Sequence, residues 1–555
     1  MKRDGARKRR SRSSRTRRPR PARDDHASDD PAEEALTEAT ELGILLADGE
    51  EDDPEPHDED EPFFRAPRRN PSMPRTRPAP DIVVKPRGAA ARRKAGPPSA
   101  PSPAVPSPAE DDAHLFKRNL RTAYPVAASA KGIWIHDTAG RDYLDACGGA
   151  VVCSIGHGVE EIAAVMNRQA RRLAFAHSTQ FITRESMQLS SRVAALAPGA
   201  LRKNGRVYLV SGGSEAMETA IKLARQYHVD SGNPSRTKIV ARWQSYHGST
   251  MGALSITGNV ARRSLYTPLF AAMPHIAPCY CYRCPYGLTF PSCRIACVDE
   301  LETVIRQEGP DSVAAFVAEP IVGATLGAVP AVEGYWQRAR EICSKYKVLL
   351  IADEVMTGVG RTGRNFAVDH DRVVPDMIVT GKGLSGGYTP LGAVIASGSI
   401  HEAIRNGRGF FEHGFTYSAN PLSAAVGSAV LDYLADNRLI ARAARLGRTL
   451  GARLETMRRH RIVGDVRGRG MLWGIELVRD RKTREPFTPG LKVSRRVYET
   501  GLEERILLYP GSGSRAGQDG DHFLVAPAFT ITRSEIDELI TRLDRTLKKV
   551  AAALR

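Results

Sequence analysis

Lys382 stands between two glycines in TGKGLSGGYTPLGAV (380–394), directly after the apolar run PDMIV (375–379). A lysine prefers water. At the end of a buried strand, desolvation lowers its pKa and frees the lone pair, which makes Lys382 a candidate Schiff-base nucleophile. Taken singly, an ion-paired lysine at a strand end is the plainer reading. It is not a nucleotide-loop lysine, because GKG lacks the following Ser/Thr and the glycine five residues earlier. Asp353 closes the run KVLLIAD (347–353). A buried carboxylate needs a cationic or hydrogen-bonding partner, and a protonated ring nitrogen would serve. In VSGGSEAMETAIKLARQY (210–227) a strand ends, two glycines turn the chain, and a helix starts at Ser214 or Glu215. N–H groups at a helix N-terminus, with the Ser214 hydroxyl beside them, form an anion cradle.

A phosphate cradle, an acid for a pyridinium nitrogen and a Schiff-base lysine are together the parts of a pyridoxal phosphate site. SYHGST (245–250) adds Tyr246, an aromatic suited to a pyridine face. Gly358 to Gly363 matches G-x-G-x-x-G. No helical pattern follows it at once, so a dinucleotide reading is set aside.

These residues need a scaffold that brings strand ends together. From about 180 to 430, apolar runs alternate with helical patterns: RVYLV (206–210), KIVAR (238–242), VAAFVAE (313–319), KVLLIAD and DMIVTG (376–381). That alternation predicts an α/β domain with a mostly parallel sheet. Residues 131–146, KGIWIHDTAGRDYLDA, read as a small hairpin. The C-terminal stretch 431–555 holds amphipathic helices around MLWGIELV and reads as a smaller α+β domain. Residues 113–179 are expected to join it as its N-terminal segment, with 180–430 as the cofactor domain.

The first 112 residues differ in kind. They carry 22 basic and 23 acidic side chains in opposed blocks and a Pro/Ala/Arg/Ser stretch. Such a composition predicts a disordered, solubilising tail, with no more than a short helix at LTEATELGILLADG. The net charge of +17 therefore resides in the remaining chain. A dispersed positive field suits anionic small molecules as well as polyanions. No apolar run is long enough to span a bilayer, and no h-region follows the basic N-terminus. The expectation is a cytoplasmic protein without membrane contact.

With those motifs in that order, the chain over roughly 115–550 resembles the class III aminotransferases, of fold type I. The resemblance implies roles residue by residue. Lys382 carries the cofactor as a Schiff base and is the general acid/base. Asp353 pairs with the pyridine nitrogen. Val355 and Tyr246 pack on the two ring faces, and Gly213 and Ser214 hold the phosphate. Glu319, in AEPI, matches the family's acidic residue near the ring. Thr416, in GFTYSANP, matches the residue that reaches the neighbouring subunit's phosphate, which implies a homodimer. Arg467, in VRGRG, matches an arginine that binds a substrate carboxylate. The glutamate that masks it in ornithine-type members is replaced here by Ala324. This departure points toward the ω-amine:pyruvate type, with transfer to a 2-oxo acid such as pyruvate or 2-oxoglutarate.

The insert PCYCYRCPYGLTFPSCRIACVD (278–299) holds Cys279, Cys281, Cys284, Cys293 and Cys297. Thiolates in such number suit tetrahedral zinc, but one C-x-x-C does not complete a paired-knuckle spacing. No metal is expected. Two other readings stand beside the aminotransferase: a racemase, decarboxylase or aminomutase on the same scaffold, and a charged-tail protein that binds nucleic acid in a salt-sensitive way.

Overall fold

The computed structural model describes residues 114–554. The charged segment 1–112, with its expected disorder and short helix, lies outside the described residues. Three antiparallel strands come first: β1 (Ala127–Lys131), β2 (Trp134–Asp137) and β3 (Asp142–Asp145). The hairpin expected in 131–146 is β2–β3, turned through Gly140 at φ 74°.

A seven-stranded sheet follows. Its strands are β4 (Arg206–Val210), β5 (Lys238–Arg242), β6 (His275–Ile276) and β7 (Val313–Ala318). After the small hairpin β8 (Ile321–Val322) and β9 (Val329–Pro330) come β10 (Leu349–Asp353), β11 (Met377–Thr380) and β12 (Gly392–Ala396). The spatial order is β4-β12-β11-β10-β7-β5-β6. Only β12 runs against its neighbours; β11, β10, β7, β5 and β6 pair in parallel.

Side chains alternate between the two faces of a strand. Phe316, Leu350, Ile378 and Ile395 join one buried cluster, while Val317, Ile351, Val379 and Val394 join another on the opposite face. Both faces are covered, which is why these strands read as continuous apolar runs. The helix Gly213–Asp230 covers one face with Ala216, Met217, Ala220, Leu223 and Ala224. Their i, i+3/i+4 spacing makes a single apolar stripe.

The C-terminal part folds as the antiparallel sheet β13 (Val463–Arg469), β14 (Leu472–Leu477), β17 (Asp519–Val525) and β16 (Tyr509–Arg515). A short strand β15 (Ile506–Leu507) pairs with β3, so the two ends of the described chain share one sheet. The helix Arg533–Ala553 opens with a Thr532/Glu535 capping box.

The Gly358–Gly363 stretch forms turns rather than the start of a helix. Glu354 braces it, accepting from the Val368 N–H at 2.8 Å and from the Thr357 hydroxyl. Arg361, fully buried, donates to the carbonyls of Met471, Ala526 and Pro527. The glycine-rich loop thus fastens the parallel sheet to the C-terminal sheet. Replacing Arg361 with methionine keeps the bulk and leaves these carbonyls without that donor. The expected cost is on the order of 3 kcal/mol, seen as a lower thermal unfolding midpoint; an unchanged midpoint would contradict the assignment.

Candidate active site

Five parallel strands end on the same edge, and each is followed by a residue singled out above: Gly213 and Ser214 after β4, Tyr246 after β5, Glu319 after β7, Asp353 at the end of β10, and Lys382 after β11. That edge is where open α/β sheets bind ligands. One cavity of about 180 Å³ is lined by all six, together with His247, Ala324, Val355 and Met356.

The parallel register sets Asp353 opposite Val379, and the Glu354 N–H bonds the Val379 carbonyl at 2.8 Å. Lys382 lies three residues beyond that partner. Its backbone adopts φ 42°, a left-handed conformation that costs a non-glycine residue about 1–2 kcal/mol. Such strain is tolerated where surrounding structure imposes it, and functional sites are common places for it. The side chain is half-buried, and it lines the cavity. Desolvation pushes the amine pKa down to about 8, against the opposing pull of the Asp353 and Glu319 carboxylates.

Asp353 is almost fully buried. Its Oδ2 accepts from His247 Nδ1 at 2.7 Å and its Oδ1 from the Val355 N–H at 3.1 Å. His247 is fixed in turn by its own N–H, which donates to Thr257 Oγ1 at 2.9 Å. Glu319 accepts from the N–H groups of Tyr246 (2.7 Å) and Gly323 (3.1 Å). Burial raises its pKa. His247, Glu319 and Asp353 are the sole group among the described residues whose potential metal-ligand atoms lie within 4.8 Å of one another. Each carboxylate oxygen already accepts a hydrogen bond, so the group reads as a braced acid pair rather than a cation site. The sequence reading passed over His247, although it follows Tyr246 directly in SYHGST; a histidine without a visible partner carries no signal until the fold supplies Asp353.

At the other end of the cavity, the helix Gly213–Asp230 begins. The first N–H groups of a helix have no intrahelical partner. A Cβ on Gly212 would meet nothing within 4 Å, whereas one on Gly213 would lie 2.7 Å from Val355 Cγ1. The turn therefore borders open space on one side and holds Val355 close on the other. Ser214 Oγ accepts from the Ser249 N–H at 3.1 Å, and Ser249 Oγ bonds the Tyr246 hydroxyl at 2.8 Å. An anion-binding helix end, an aromatic wall, a braced carboxylate and a desolvated amine fit pyridoxal phosphate in chemistry and in order along one cavity.

Two residues singled out above do not line this cavity. Thr416, expected at the neighbouring subunit's phosphate, is exposed. Arg467 is largely enclosed and occupied: its Nη1 lies 2.8 Å from Glu476 and 3.0 Å from Asp465, and its Nε donates to the Gly327 carbonyl at 2.8 Å. Its guanidinium rests on the Tyr280 ring at 5.1 Å. Binding a substrate carboxylate would require it to leave Glu476, and breaking such a buried pair costs about 3–5 kcal/mol.

In the cysteine-rich insert, Cys279 is within hydrogen-bonding reach of Cys281 and Cys297, and all eight cysteines of the chain are free thiols. The insert also sends Tyr280 and Arg283 onto Glu476, with Arg283 Nε 2.5 Å from its carboxylate.

Comparison with known proteins agrees with this geometry. The family model described as aminotransferase class III matches residues 116–547. The diaminobutyrate–2-oxoglutarate transaminase of Halomonas elongata is 37% identical over 77% of this chain and 91% of its own length. The putrescine–pyruvate aminotransferase of Pseudomonas aeruginosa is 34% identical over 77% of this chain and 91% of its own. An amine transaminase from an uncultivated Pseudomonas species, solved in its PLP-bound form, superposes with a TM-score of 0.73 at 32% identity, covering 79% of this chain and 98% of that one.

Only the neutral amine of Lys382 can attack an aldehyde. Covalent loading of pyridoxal phosphate, trapped by borohydride, is therefore expected to rise with pH through a midpoint near 8, well below that of an ordinary lysine at about 10.4. Lys382→Ala should retain no reducible cofactor. A midpoint near 10, or equal trapping in the variant, would remove Lys382 from this role.

Proposed function

The chain belongs to the class III aminotransferase family, with pyridoxal 5′-phosphate as its cofactor, and from that premise we propose that it moves the amino group of an ω-amine or ω-amino acid to a 2-oxo acid in two half-reactions. The observation that carries the reading is the placement of the Asp353 carboxylate and the Lys382 amine at the ends of adjacent parallel strands, on one cavity with the helix start at Gly213. When bound, the cofactor supplies an aldehyde for the amino group and a ring that withdraws electrons from the carbon bearing it.

The residues do the rest. Gly213 and Ser214 bind the phosphate with backbone N–H groups and a hydroxyl. Tyr246 and Val355, which both line the cavity, would hold the ring. Asp353, oriented by His247 and the Val355 N–H, holds a proton on the ring nitrogen. Glu319 keeps the Tyr246 backbone and the Gly323 turn in place through its two hydrogen bonds. Lys382 Nζ, poised near neutral pH, would take the proton from the substrate carbon and hold it. The ω-amine preference is supported by Ala324, which leaves the cavity wall without a gating carboxylate at that position.

A homodimer belongs to the same proposal. Phe181 and Ile182 are 65% and 79% exposed, and Phe175 meets the exposed Tyr417, next to Thr416, edge to face. An apolar patch of this kind marks an interaction surface. The eight free thiols accord with a reducing, cytoplasmic setting.

Amine consumption should depend strictly on an added 2-oxo acid, and Asp353→Asn should lower kcat on the order of 10²-fold or more. Amine loss without a keto acid would instead indicate a decarboxylase, racemase or aminomutase. For the assembly, Phe181→Asp should shift sedimentation from dimer to monomer and weaken cofactor retention. Thr416→Ala should weaken retention while leaving the dimer intact. A wild-type monomer with full cofactor occupancy would defeat this part.

A further inference from the structure

Arg467 is committed to Glu476, Asp465 and two backbone carbonyls. A different arginine stands uncommitted beside the cavity. Arg262, in the short helix Val260–Arg263, places its guanidinium 4.3 Å from the centroid of the Tyr246 ring. No carboxylate among the described residues pairs with it. Tyr246 is also a wall of the catalytic cavity.

Arg262 lines a second cavity of about 570 Å³ together with Arg118, Arg121, Tyr124, Arg495 and Tyr509, and among the described residues no acidic one lines it. Of its arginines, only Arg495 has an acidic partner among the described residues, Glu499 at 2.6 Å. Tyr509 packs against the buried cluster that contains Ile321 and Ala324, two residues that line the catalytic cavity. Arg262 lines the second cavity and rests on a wall of the first, so the two adjoin at Tyr246. The positive charge of Arg262 reaches the Lys382 amine, where it adds to the effect of burial. Uncompensated guanidinium groups around a recess, without competing acids, form a site for a carboxylate, which they can grip with two parallel hydrogen bonds.

We propose that Arg262, supported by Arg118 and Arg121, binds the distal carboxylate of the substrate, so that the preferred amino acceptor is a dicarboxylic 2-oxo acid rather than a monocarboxylic one. The proposal rests on the aminotransferase reading and names its acceptor class. Arg262 recognises the end of the substrate away from the reacting carbon. It moves no proton.

The test uses the pyridoxal phosphate-loaded holoenzyme with one amine donor and two acceptors, 2-oxoglutarate and pyruvate. In Arg262→Leu, the ratio of kcat/KM for 2-oxoglutarate over pyruvate should fall roughly ten- to a hundredfold, the range of a charge-assisted hydrogen bond. The fall should sit in KM, and Arg262→Lys should recover part of it. Arg118→Gln combined with Arg121→Gln should shift the ratio in the same direction by less. Equal losses for both acceptors, or none, would overturn the assignment. Binding of glutarate against butyrate, measured by calorimetry on the same proteins, needs no turnover. Wild type should prefer glutarate and Arg262→Leu should lose that preference; a wild type that binds the two alike would also overturn it. If no 2-oxo acid is turned over but the glutarate preference depends on Arg262, the subsite stands and the aminotransferase reading falls.

Discussion

The structure turns on keeping a lysine amine dry while two carboxylates stand near it. Removing a charge from water is costly, and a buried lysine responds by giving up its proton more readily. Lys382 is pulled both ways: burial favours the neutral amine, and Asp353 and Glu319 favour the ammonium. Burial prevails, yet the opposing pull leaves the pKa near 8 rather than far lower. The amine can therefore be gained and lost as a proton carrier close to neutral pH. Everything around it serves to hold that balance. The parallel pairing of β10 and β11 sets Asp353 and Lys382 on one edge, and a one-residue slip would send one of them to the opposite face.

Two acids beside one another repel. For Asp353 and Glu319, burial together with this repulsion raises the Glu319 pKa, and each acid offsets it by spending both oxygens on donors: His247 and the Val355 N–H for one, the Tyr246 and Gly323 N–H groups for the other. The same bonds fix the neighbours that form the cavity wall. Tyr246 is held at its backbone by Glu319 and at its hydroxyl by Ser249, whose N–H is held by Ser214. The start of the helix at Gly213 and the Tyr246 wall of the cavity are therefore one hydrogen-bonded unit, drawn from strands far apart in the chain.

Much of this was legible in the sequence because the chemistry sits at strand ends. The runs RVYLV and KIVAR match β4 and β5 residue for residue, and the residues after them fall where an anion and an aromatic are wanted. Burial on both faces makes such strands conspicuous. What escaped was whatever depends on contact across the sequence. His247 is separated from Asp353 by 106 residues, and nothing local distinguishes it. β12 went unassigned: GAVIA follows directly on a glycine-rich loop and runs against its neighbours. The partners of Arg467 were equally invisible, since Glu476 meets it only through the pairing of β13 with β14.

That last contact shows what the cysteine-rich insert contributes. Tyr280 and Arg283 both reach Glu476 from the insert, and Glu476 in turn reaches Arg467. Glu476 is fully buried, so it needs the positive charge around it. With two arginines present it can accept the loss of neither cheaply, because a buried carboxylate that loses a partner is left with an uncompensated charge. The insert therefore shares Glu476 with Arg467 rather than competing for it, and Tyr280 adds a ring beneath the guanidinium. An arginine fastened on one side by a carboxylate pair, on another by the Gly327 and Leu326 carbonyls, and below by an aromatic face has little freedom to swing toward a substrate. Recognition of a negative charge then passes to a cation that has no such ties, and beside this cavity the one stacked on Tyr246 is Arg262.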